Sequence, residues 1–259
     1  MENFIIHSKE NSVLIIGLNR PGKFNSFNRE MALQLQKILD DAASDKSIRA
    51  IYITGEGKAF CAGQDLNEAM DANGPGIKRI VDEHYNPIIR KIRTIEKPVV
   101  CAVNGVAAGA GANIALACDV VIAASSASFI QSFSKIGLVP DSGGTFMLPR
   151  LIGWQRASAL MMLGDKVSAI DALQMGMIYK VADDAKLRED AMAIATTLSQ
   201  MPTYGIGLTK KLLNESFFNS LDKQLNSERD LQVQAANSYD YNEGVKAFLE
   251  KRKPTFKGE

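Results

Sequence analysis

Three largely apolar runs, rich in β-branched residues, constrain the fold of this chain more than any other feature. They lie at residues 48–54, 99–103 and 120–123, and segments with helical spacing separate them. Strands that are covered on both faces read as continuous apolar runs, whereas half-exposed strands alternate with polar residues. Such strands, alternating with helices, are typical of a βα-repeating domain. The sequence therefore predicts an α/β core.

The N-terminal segment predicts a β-hairpin followed by a helix. Residues 4–7 and 13–18 are rich in apolar residues and flank a polar break at residues 9–11, which is typical of two paired strands. From Asn28 onward the spacing becomes helical, and Asn28 itself is a suitable N-cap. The apolar face of this helix consists of Met31, Leu35, Ile38, Leu39 and Ala42. The chain thus enters the core as strand, strand, helix.

Residues 71–76 predict a flexible loop, and Pro87 predicts a kink or break in the helical segment that follows this loop.

The second half of the chain predicts a change from mixed to helical structure. Beyond residue 169 strand patterns become rare. Helical patterns in that region cover residues 191–198, 208–218, 221–236 and 243–251. We therefore divide the chain into a core at residues 1–195 and a helical C-terminal region at residues 196–259.

Charge and cysteine content argue against several classes of protein. Lys and Arg total 30 against 29 Asp and Glu, so no strong net field attracts nucleic acid or anionic lipid. The three cysteines are widely spaced and form no Cys-x-x-Cys pair, which favours reduced thiols. The apolar run at residues 13–18 is too short for a signal sequence or a membrane span. We expect a cytoplasmic protein with neither nucleic-acid nor membrane partners.

Two glycine-containing segments predict places where backbone N–H groups can approach a ligand. Residues 58–66 and 104–113 each place small residues where a strand turns toward a helix. Two such segments facing one cleft would form an oxyanion hole. For either segment alone, tight turns and close helix packing explain the glycines. The two together favour a binding site.

Asp141 is the acidic residue of a third glycine-rich turn, residues 137–145, which precedes a helical run at residues 146–152. An Asp in this position often caps the following helix. Capping and catalysis are compatible, so Asp141 is also a candidate catalytic carboxylate.

Two other chemistries fit the sequence poorly. Gly105, Gly109 and Gly111 have the spacing of a short-chain dehydrogenase turn. However, none of the six tyrosines has Lys four residues later, and position 131 is Gln where a dinucleotide site would have an acid. A serine hydrolase needs Gly-x-Ser-x-Gly and a histidine partner. That motif is absent, and His7 and His84 are more typical of structural or surface residues.

The basic residues near the C-terminus leave two interpretations open. Residues 251–253 and Lys257 suit a solvated helix end, where cations complement the helix dipole. They equally suit a contact with an anionic phosphate tail. Lys257 is therefore a candidate ligand contact.

Several segments together resemble the crotonase family, also called the enoyl-CoA hydratase/isomerase superfamily. They are Leu18-Asn19-Arg20-Pro21 with Asn25, and residues 59–66, 97–105, 137–150 and 243–252. The resemblance covers essentially the whole chain, and the combination is highly specific. It implies an α/β fold of the crotonase (ClpP-like) type, in which ββα repeats form a spiral core and a helical C-terminal region mediates trimerisation.

The resemblance also implies roles for particular residues. The family's two oxyanion donors fall on the backbone N–H groups of Gln64 and Ala110. Family hydratases add water with two glutamates, and the matching positions here are Asn113 and Phe133, neither of which is an acid or base. Asp141 falls where several family isomerases keep a proton-shuttling acid. These assignments predict an isomerase of acyl-CoA thioesters.

The predicted ligand is an acyl-CoA, whose adenine and pantetheine would follow Lys23, Phe24, Ala62 and Leu66, as in the family. The complete set of predicted binding residues is Lys23, Phe24, Ala62, Gly63, Asp65, Leu66, Gly109, Gly111, Asn113, Phe133 and Lys257. Coenzyme A is part of the substrate, and no metal or separate cofactor is predicted. Family members form trimers and dimers of trimers, so we expect a homo-oligomer of this kind.

A narrower resemblance concerns the substrate. Residues 60–66, 85–87, 106–112, 133–138 and 140–145 resemble family isomerases that act on an epoxide of phenylacetyl-CoA. The same site would also suit movement of a double bond from the 3- to the 2-position of an enoyl-CoA. The alternatives are an enoyl-CoA hydratase and a non-catalytic CoA- or RNA-binding protein of the same fold.

Overall fold

Two β-sheets flanked by helices form the fold of residues 3–259, which the structure, a computed structural model, describes. The strands are β1 (Ile5–Glu10), β2 (Val13–Leu18), β3 (Ala50–Gly55), β4 (Ala59–Cys61), β5 (Val99–Val103), β6 (Val106–Ala108), β7 (Val120–Ala124), β8 (Ser128–Ile130), β9 (Lys166–Ser168) and β10 (Lys180–Ala182). The α-helices are α1 (Arg29–Ser44), α2 (Leu66–Met70), α3 (Gly76–Arg79), α4 (Asn86–Thr94), α5 (Ala110–Leu116), α6 (Gly144–Ile152), α7 (Trp154–Leu163), α8 (Ala169–Gln174), α9 (Leu187–Gln200), α10 (Thr203–Ser216), α11 (Leu221–Ala236) and α12 (Tyr239–Leu249). A π-helix spans Ile80–Tyr85, and 3-10 helices span Pro21–Lys23, Ser132–Ile136 and Asp184–Lys186.

The larger sheet has the order β1-β2-β3-β5-β7-β10. The predicted hairpin is confirmed, because β1 pairs antiparallel with β2 from Ile5 opposite Leu18 onward. The three apolar runs are the neighbouring parallel strands β3, β5 and β7. Every residue of β5 is buried, as expected of a central strand with both faces covered.

The smaller sheet has the order β4-β6-β8-β9, and here the sequence prediction was incomplete. Residues 58–66 and 104–113 were expected only to leave strands, yet they contain β4 and β6, which pair in parallel. Each of these strands is three residues long, too short to show a period. The short strand β10 beyond residue 169 was missed for the same reason.

Helix α1 forms as predicted. The side chain of Asn28 accepts a hydrogen bond from Met31 N at 3.0 Å, which satisfies one of the free N–H groups at the start of the helix. Its buried residues are Met31, Ala32, Leu35, Leu39 and Ala42. Ile38, also predicted for this face, is half-buried against the same core.

Pro87 lies just beyond a change of helix type, but the predicted break is absent. The π-helix Ile80–Tyr85 passes directly into α4 with right-handed helical backbone at Tyr85 and Asn86, and Pro87 is the second residue of α4. The alternative, a kink at Pro87, stays a prediction. Residues 71–76, predicted as a loop, connect α2 with α3, which begins at Gly76. The π-helix matters for function because it faces a cavity described below.

The C-terminal region is helical, as predicted. Helix α11 begins and ends where the sequence pattern places it, whereas α10 and α12 begin earlier, at Thr203 and Tyr239. The predicted boundary at residue 195 lies inside α9, which packs against β3, β5 and β7. The division of the chain at this point stays a prediction.

All three cysteines are buried and unpaired. Within residues 3–259, none of the helices has both the length and the apolar character that crossing a bilayer requires. The same residues contain no cluster of three or more His, Cys, Asp or Glu side chains arranged to hold a metal ion.

Candidate active site

The ends of β4 and β6 bring two backbone segments together. Cys61 of β4 pairs with Ala107 of β6, so Gln64 and Ala110 each lie three residues beyond a paired position. A Cβ on Gly63 would lie 3.0 Å from the carbonyl oxygen of Ala108 and 3.5 Å from Ala110 N. Gly63 also has φ of +93°. Glycine therefore permits both the turn and the close approach to α5.

The N–H groups of Gln64 and Ala110 are free of protein acceptors within residues 3–259. Phe27 pairs with the segment on either side of Gln64, because Phe27 N donates to the Gly63 carbonyl at 2.7 Å and Asp65 N donates to the Phe27 carbonyl at 2.8 Å. This pairing leaves out the N–H of Gln64. Ala110 is the first residue of α5, and such a residue has no acceptor within its own helix. Two adjacent segments thus offer one N–H each.

A cavity of about 270 Å³ opens beside these two residues. It is lined by Ala62, Gly63, Gln64, Leu66, Ala69, Ile77, Ile80, Val81, Tyr85, Gly109, Ala110, Ser132, Phe133, Lys135, Ile136, Leu138 and Asp141. Apolar side chains from the π-helix and from the 3-10 helix Ser132–Ile136 form much of its wall. Asp141 is the only acidic residue among them. A mostly apolar cavity with few polar groups is typical of a small-molecule site.

Asp141 is partly buried and has few polar partners. Ser142 Oγ donates to Asp141 Oδ1 at 2.8 Å, and Asn113 Nδ2 donates to the backbone carbonyl of Asp141 at 2.9 Å. Burial raises the pKa of the Asp141 carboxyl above its ordinary value, and the hydrogen bond from Ser142 opposes part of that rise. Ser142 itself has φ of +51°, an uncommon conformation for a residue other than glycine.

The alternative that Asp141 caps the following helix is wrong. Helix α6 begins at Gly144, and its N-cap is Gly143, which makes no side-chain capping bond. The side chain of Asp141 is left to face the cavity.

The structure adds Tyr85 and Glu68 to the residues found from sequence. Tyr85 Oη donates to Gln64 Oε1 at 2.8 Å, and Gln64 Nε2 donates to Glu68 Oε2 at 2.9 Å. Burial, as the largest cause, raises the pKa of Tyr85 well above its ordinary value. Tyr85 belongs to a segment of the family resemblance, but the sequence did not predict its bond to Gln64, because this contact depends on how the π-helix packs. No local pattern marked Glu68.

Eight of the predicted site residues line the cavity, and two more lie next to it. The eight are Asp141, Gln64, Ala110, Ala62, Gly63, Leu66, Gly109 and Phe133. Phe24 lies next to this group because Ala62 N donates to its carbonyl at 2.9 Å. Lys23 precedes Phe24 at the end of a 3-10 helix, and both side chains are exposed.

The other four predicted residues also do not line the cavity, and three of them have structural contacts close to it. Asp65 caps α2 and pairs with Arg20 at 3.0 Å. Gly111 permits α5 to lie against β4, since a Cβ there would be 2.3 Å from the Cys61 carbonyl oxygen. Asn113 is buried between the Asp141 carbonyl and the side chain of Gln131, whose Nε2 donates to Asn113 Oδ1 at 2.8 Å.

Lys257 is the fourth, and it lies elsewhere on the surface. Its N–H donates to Asp240 Oδ1 at 2.6 Å, and its ammonium lies 4.1 Å from the centre of the Tyr239 ring. In the same C-terminal segment Arg252 pairs with Glu243 and Glu250. Within a single chain, Lys257 is therefore not brought to the cavity.

The two sheets, together with the cavity beside the ends of β4 and β6, define an enzyme of the crotonase fold. The enoyl-CoA hydratase/isomerase family model matches residues 8–259, and the chain belongs to this family. The fold class expected from the sequence is thereby confirmed, while trimerisation stays a prediction.

Known proteins similar to this chain include both isomerases and hydratases. The 1,2-epoxyphenylacetyl-CoA isomerase of Escherichia coli K12 is 49% identical, and the alignment covers 100% of both chains. A Rhodobacter capsulatus protein named "Probable enoyl-CoA hydratase" is 43% identical over 94% of each chain. A crystal structure of an enoyl-CoA hydratase from Polaromonas sp. JS666 superposes with a TM-score of 0.91 at 37% identity, covering 97% of this chain and 99% of that one.

Proposed function

We propose that this protein is an acyl-CoA isomerase in which Asp141 moves a proton between two carbons of an enolised thioester. The observation that carries this proposal is the set of groups that line the cavity. Two free N–H groups and one carboxylate face an apolar space. These groups suffice for enolisation and reprotonation, and the reaction needs no metal or redox cofactor.

The two N–H groups supply the stabilisation that a lone carboxylate lacks. The α-proton of a thioester is too weakly acidic for an ordinary carboxylate to remove unaided. Hydrogen bonds from Gln64 N and Ala110 N to the thioester oxygen would stabilise the negative charge that forms there. Loss of one such donor costs about 3 kcal/mol in other enzymes.

Asp141 then acts as both base and acid. Its carboxylate takes the proton at one carbon and returns it at another, so no atom is gained or lost. Proton transfer of this kind contributes roughly 10²–10⁴-fold. The raised pKa of Asp141 favours this role, because a stronger base with few hydrogen bonds takes the proton more readily.

The surroundings of Asp141 favour isomerisation over hydration. Addition of water to a double bond needs a group that activates the water as well as one that protonates carbon. Asn113 and Phe133 hold the positions that match the two hydratase glutamates. Asn113 is already bonded to the Asp141 carbonyl and to Gln131, and Phe133 is apolar.

The preferred acyl group in this proposal is the ring-1,2-epoxide of phenylacetic acid. Enolisation at the α-carbon would open the three-membered ring and lead to the isomeric seven-membered oxepin thioester. The apolar walls formed by Ile77, Ile80, Val81 and Phe133 suit an aromatic-sized ring. The 49% identity to an isomerase of that name supports the assignment. A 3-enoyl-CoA fits the same chemistry.

The CoA portion would leave the cavity along Ala62 and Leu66 toward Phe24 and Lys23. Leu66 and Phe24 are exposed apolar residues at this side of the cavity. The hydrogen bond from Ala62 N to the Phe24 carbonyl keeps their two segments next to each other. Lys23 adds a positive charge that suits a phosphate. We further propose that the chain assembles as a homotrimer or a dimer of trimers.

The decisive assay compares two reactions of purified protein. A 3-enoyl-CoA is followed by the rise in ultraviolet absorbance as its double bond becomes conjugated, and a 2-enoyl-CoA is followed for hydration. Isomerisation without hydration is expected. Asp141→Asn should retain thioester binding but lower kcat at least about a hundredfold. Hydration by the wild-type protein, or full turnover by Asp141→Asn, would contradict the proposal.

A further inference from the structure

The side chain of Gln64 is held at both ends of its amide group. Tyr85 Oη donates to Oε1 at 2.8 Å, and Nε2 donates to Glu68 Oε2 at 2.9 Å. Tyr85 is the last residue of the π-helix, whereas Glu68 belongs to α2. Two elements on different sides of Gln64 therefore fix a side chain whose own backbone N–H is free.

Tyr85 is a dependable donor in this arrangement. The residue is fully buried, and burial raises the pKa of its phenol well above the ordinary value, so the hydroxyl stays protonated at any physiological pH. Its ring packs edge-on against Phe27, with centroids 6.1 Å apart. Phe27 is also the residue whose backbone brackets Gln64. Tyr85 thus contacts Gln64 directly and supports it through Phe27.

Glu68 is fixed in turn by the start of α1. Its second carboxylate oxygen, Oε1, accepts from Arg29 N at 2.9 Å. Arg29 also pairs with Glu83 of the π-helix. The bonds therefore run from the π-helix to Gln64, to Glu68 and back through Arg29 to the π-helix.

We propose that Tyr85 is a positioning residue, which together with Glu68 holds the amide of Gln64 against the cavity wall and keeps the Gln64 N–H aimed at the thioester oxygen. Without this restraint the long amide side chain would be free to turn into the acyl cavity that it lines. The inference rests on the proposed function, because it assigns the Gln64 N–H to the enolate oxygen.

Removal of the Tyr85 hydroxyl alone tests the idea. Tyr85→Phe is expected to lower kcat roughly tenfold, since small errors in the position of a catalytic donor are costly, while KM changes less than about twofold. Gln64→Met keeps the backbone N–H and the chain length but removes the amide, and a similar loss is expected. In the double variant Tyr85→Phe should cause no additional loss, because the bond through which it acts is already absent.

The two variants of Glu68 provide a matched comparison. Glu68→Gln keeps one oxygen that can accept from Gln64 Nε2 but loses the acceptor for Arg29 N, so its kcat should fall less than that of Glu68→Ala. Glu68→Ala removes the acceptor and should resemble Tyr85→Phe. Equal losses from Tyr85→Phe in the wild-type and Gln64→Met backgrounds would mean that the phenol acts on the substrate itself. That result, or an unchanged kcat, would overturn the proposal.

Crystal structures of the wild-type and Tyr85→Phe proteins separate this inference from the proposed function. The Gln64 amide should leave its position in the variant, and this readout does not require turnover. If the wild-type protein fails to isomerise enoyl-CoA but the amide moves, the proposed function is wrong and the restraint is real. An amide that stays in place in Tyr85→Phe overturns the restraint whatever the activity.

Discussion

At the scale of single residues, the behaviour of the site depends on how few groups contact the Asp141 carboxylate. Burial raises its pKa, and one side-chain hydrogen bond, from Ser142 Oγ, acts in the opposite direction. Asn113 donates to the backbone carbonyl of Asp141 and not to its carboxylate. A single substitution at position 142 should therefore change the basicity of Asp141.

Ser142→Ala should move the acid limb of the pH–rate profile to higher pH. The proposed base must be ionised, so kcat/KM falls as pH drops through the pKa of Asp141 in the free enzyme. The Ser142 hydroxyl favours the ionised form, and its removal raises that pKa further. The measurement is kcat/KM against pH for both proteins. An acid limb at the same pH in both would show that another group controls it.

Asp141→Asn should raise the stability of the protein at neutral pH. A carboxyl whose folded-state pKa lies above its unfolded value, about 3.9, stabilises the fold only while protonated, and that contribution is lost as pH rises through the folded-state pKa. A neutral isostere avoids this cost. We expect a Tm higher by up to roughly 2–4 °C, the change that follows about 1 kcal/mol in a chain of this size.

Scanning calorimetry at several pH values provides the control for this prediction. The difference in Tm between wild type and Asp141→Asn should shrink as pH falls through the folded-state pKa of Asp141 and disappear below the unfolded value, about 3.9, where the carboxyl is protonated in both states. A difference that does not depend on pH would point to packing rather than charge.

At the scale of elements, the sequence predicted long segments and missed short ones. Helix α11 was found because its pattern is long enough to define a helical period, and strand β5 was found because it is a continuous apolar run. Strands β4 and β6 have three residues each, and their pairing depends on contacts more than 40 positions apart. Family resemblance, rather than periodicity, predicted the N–H donors that follow these two strands.

The site was predictable to a similar degree. Gln64 and Asp141, both close to a motif, line the cavity as expected, while their catalytic roles stay predictions. The contact of Tyr85 with Gln64 was not predicted, because only tertiary packing brings the two together. The capping role of Asp141 was wrong because Ser142 and Gly143, both at positive φ, delay the start of the helix. Lys257 lies away from the cavity because Asp240 binds the C-terminal backbone.

Gly111→Ala should both destabilise the protein and slow it. A Cβ at this position would lie 2.3 Å from the Cys61 carbonyl oxygen and 2.7 Å from the Cys61 side chain, so α5 would have to move away from β4. Strain of this kind typically costs about 1–3 kcal/mol. The same movement would increase the distance between Ala110 N and Gln64 N. The free energy of unfolding, measured by chemical denaturation, and kcat should therefore both fall.

Gly205→Ala is the matched control for this prediction. Gly205 lies in α10, and a Cβ there would have no heavy atom within 4 Å. Alanine is favoured over glycine within a helix by up to about 1 kcal/mol, so stability should be unchanged or higher and kcat unaffected. If Gly111→Ala is as stable as Gly205→Ala, α5 and β4 are not packed as closely as described.

At the scale of the whole molecule, the C-terminal helices lack cover within one chain. Helix α11 has 16 residues and buries none of them against residues 3–259. Leu221, Leu225 and Val233 on α11 and Phe248 on α12 are all more than half exposed. So many exposed apolar side chains on neighbouring helices are unusual for a monomer and are typical of an interface between subunits.

Assembly is therefore expected to depend on α11. Multi-angle light scattering of the wild-type protein should give three or six times the 28.2 kDa of one chain. Leu221→Glu/Leu225→Glu places two charges four residues apart on one face of α11, where a subunit interface would have to bury them without partners, and should lower the mass toward that of a monomer. Asn226→Glu adds a charge at an exposed polar position of the same helix and should leave the mass unchanged. A wild-type monomer, or an oligomer that survives the double substitution intact, would show that these leucines are not at the interface.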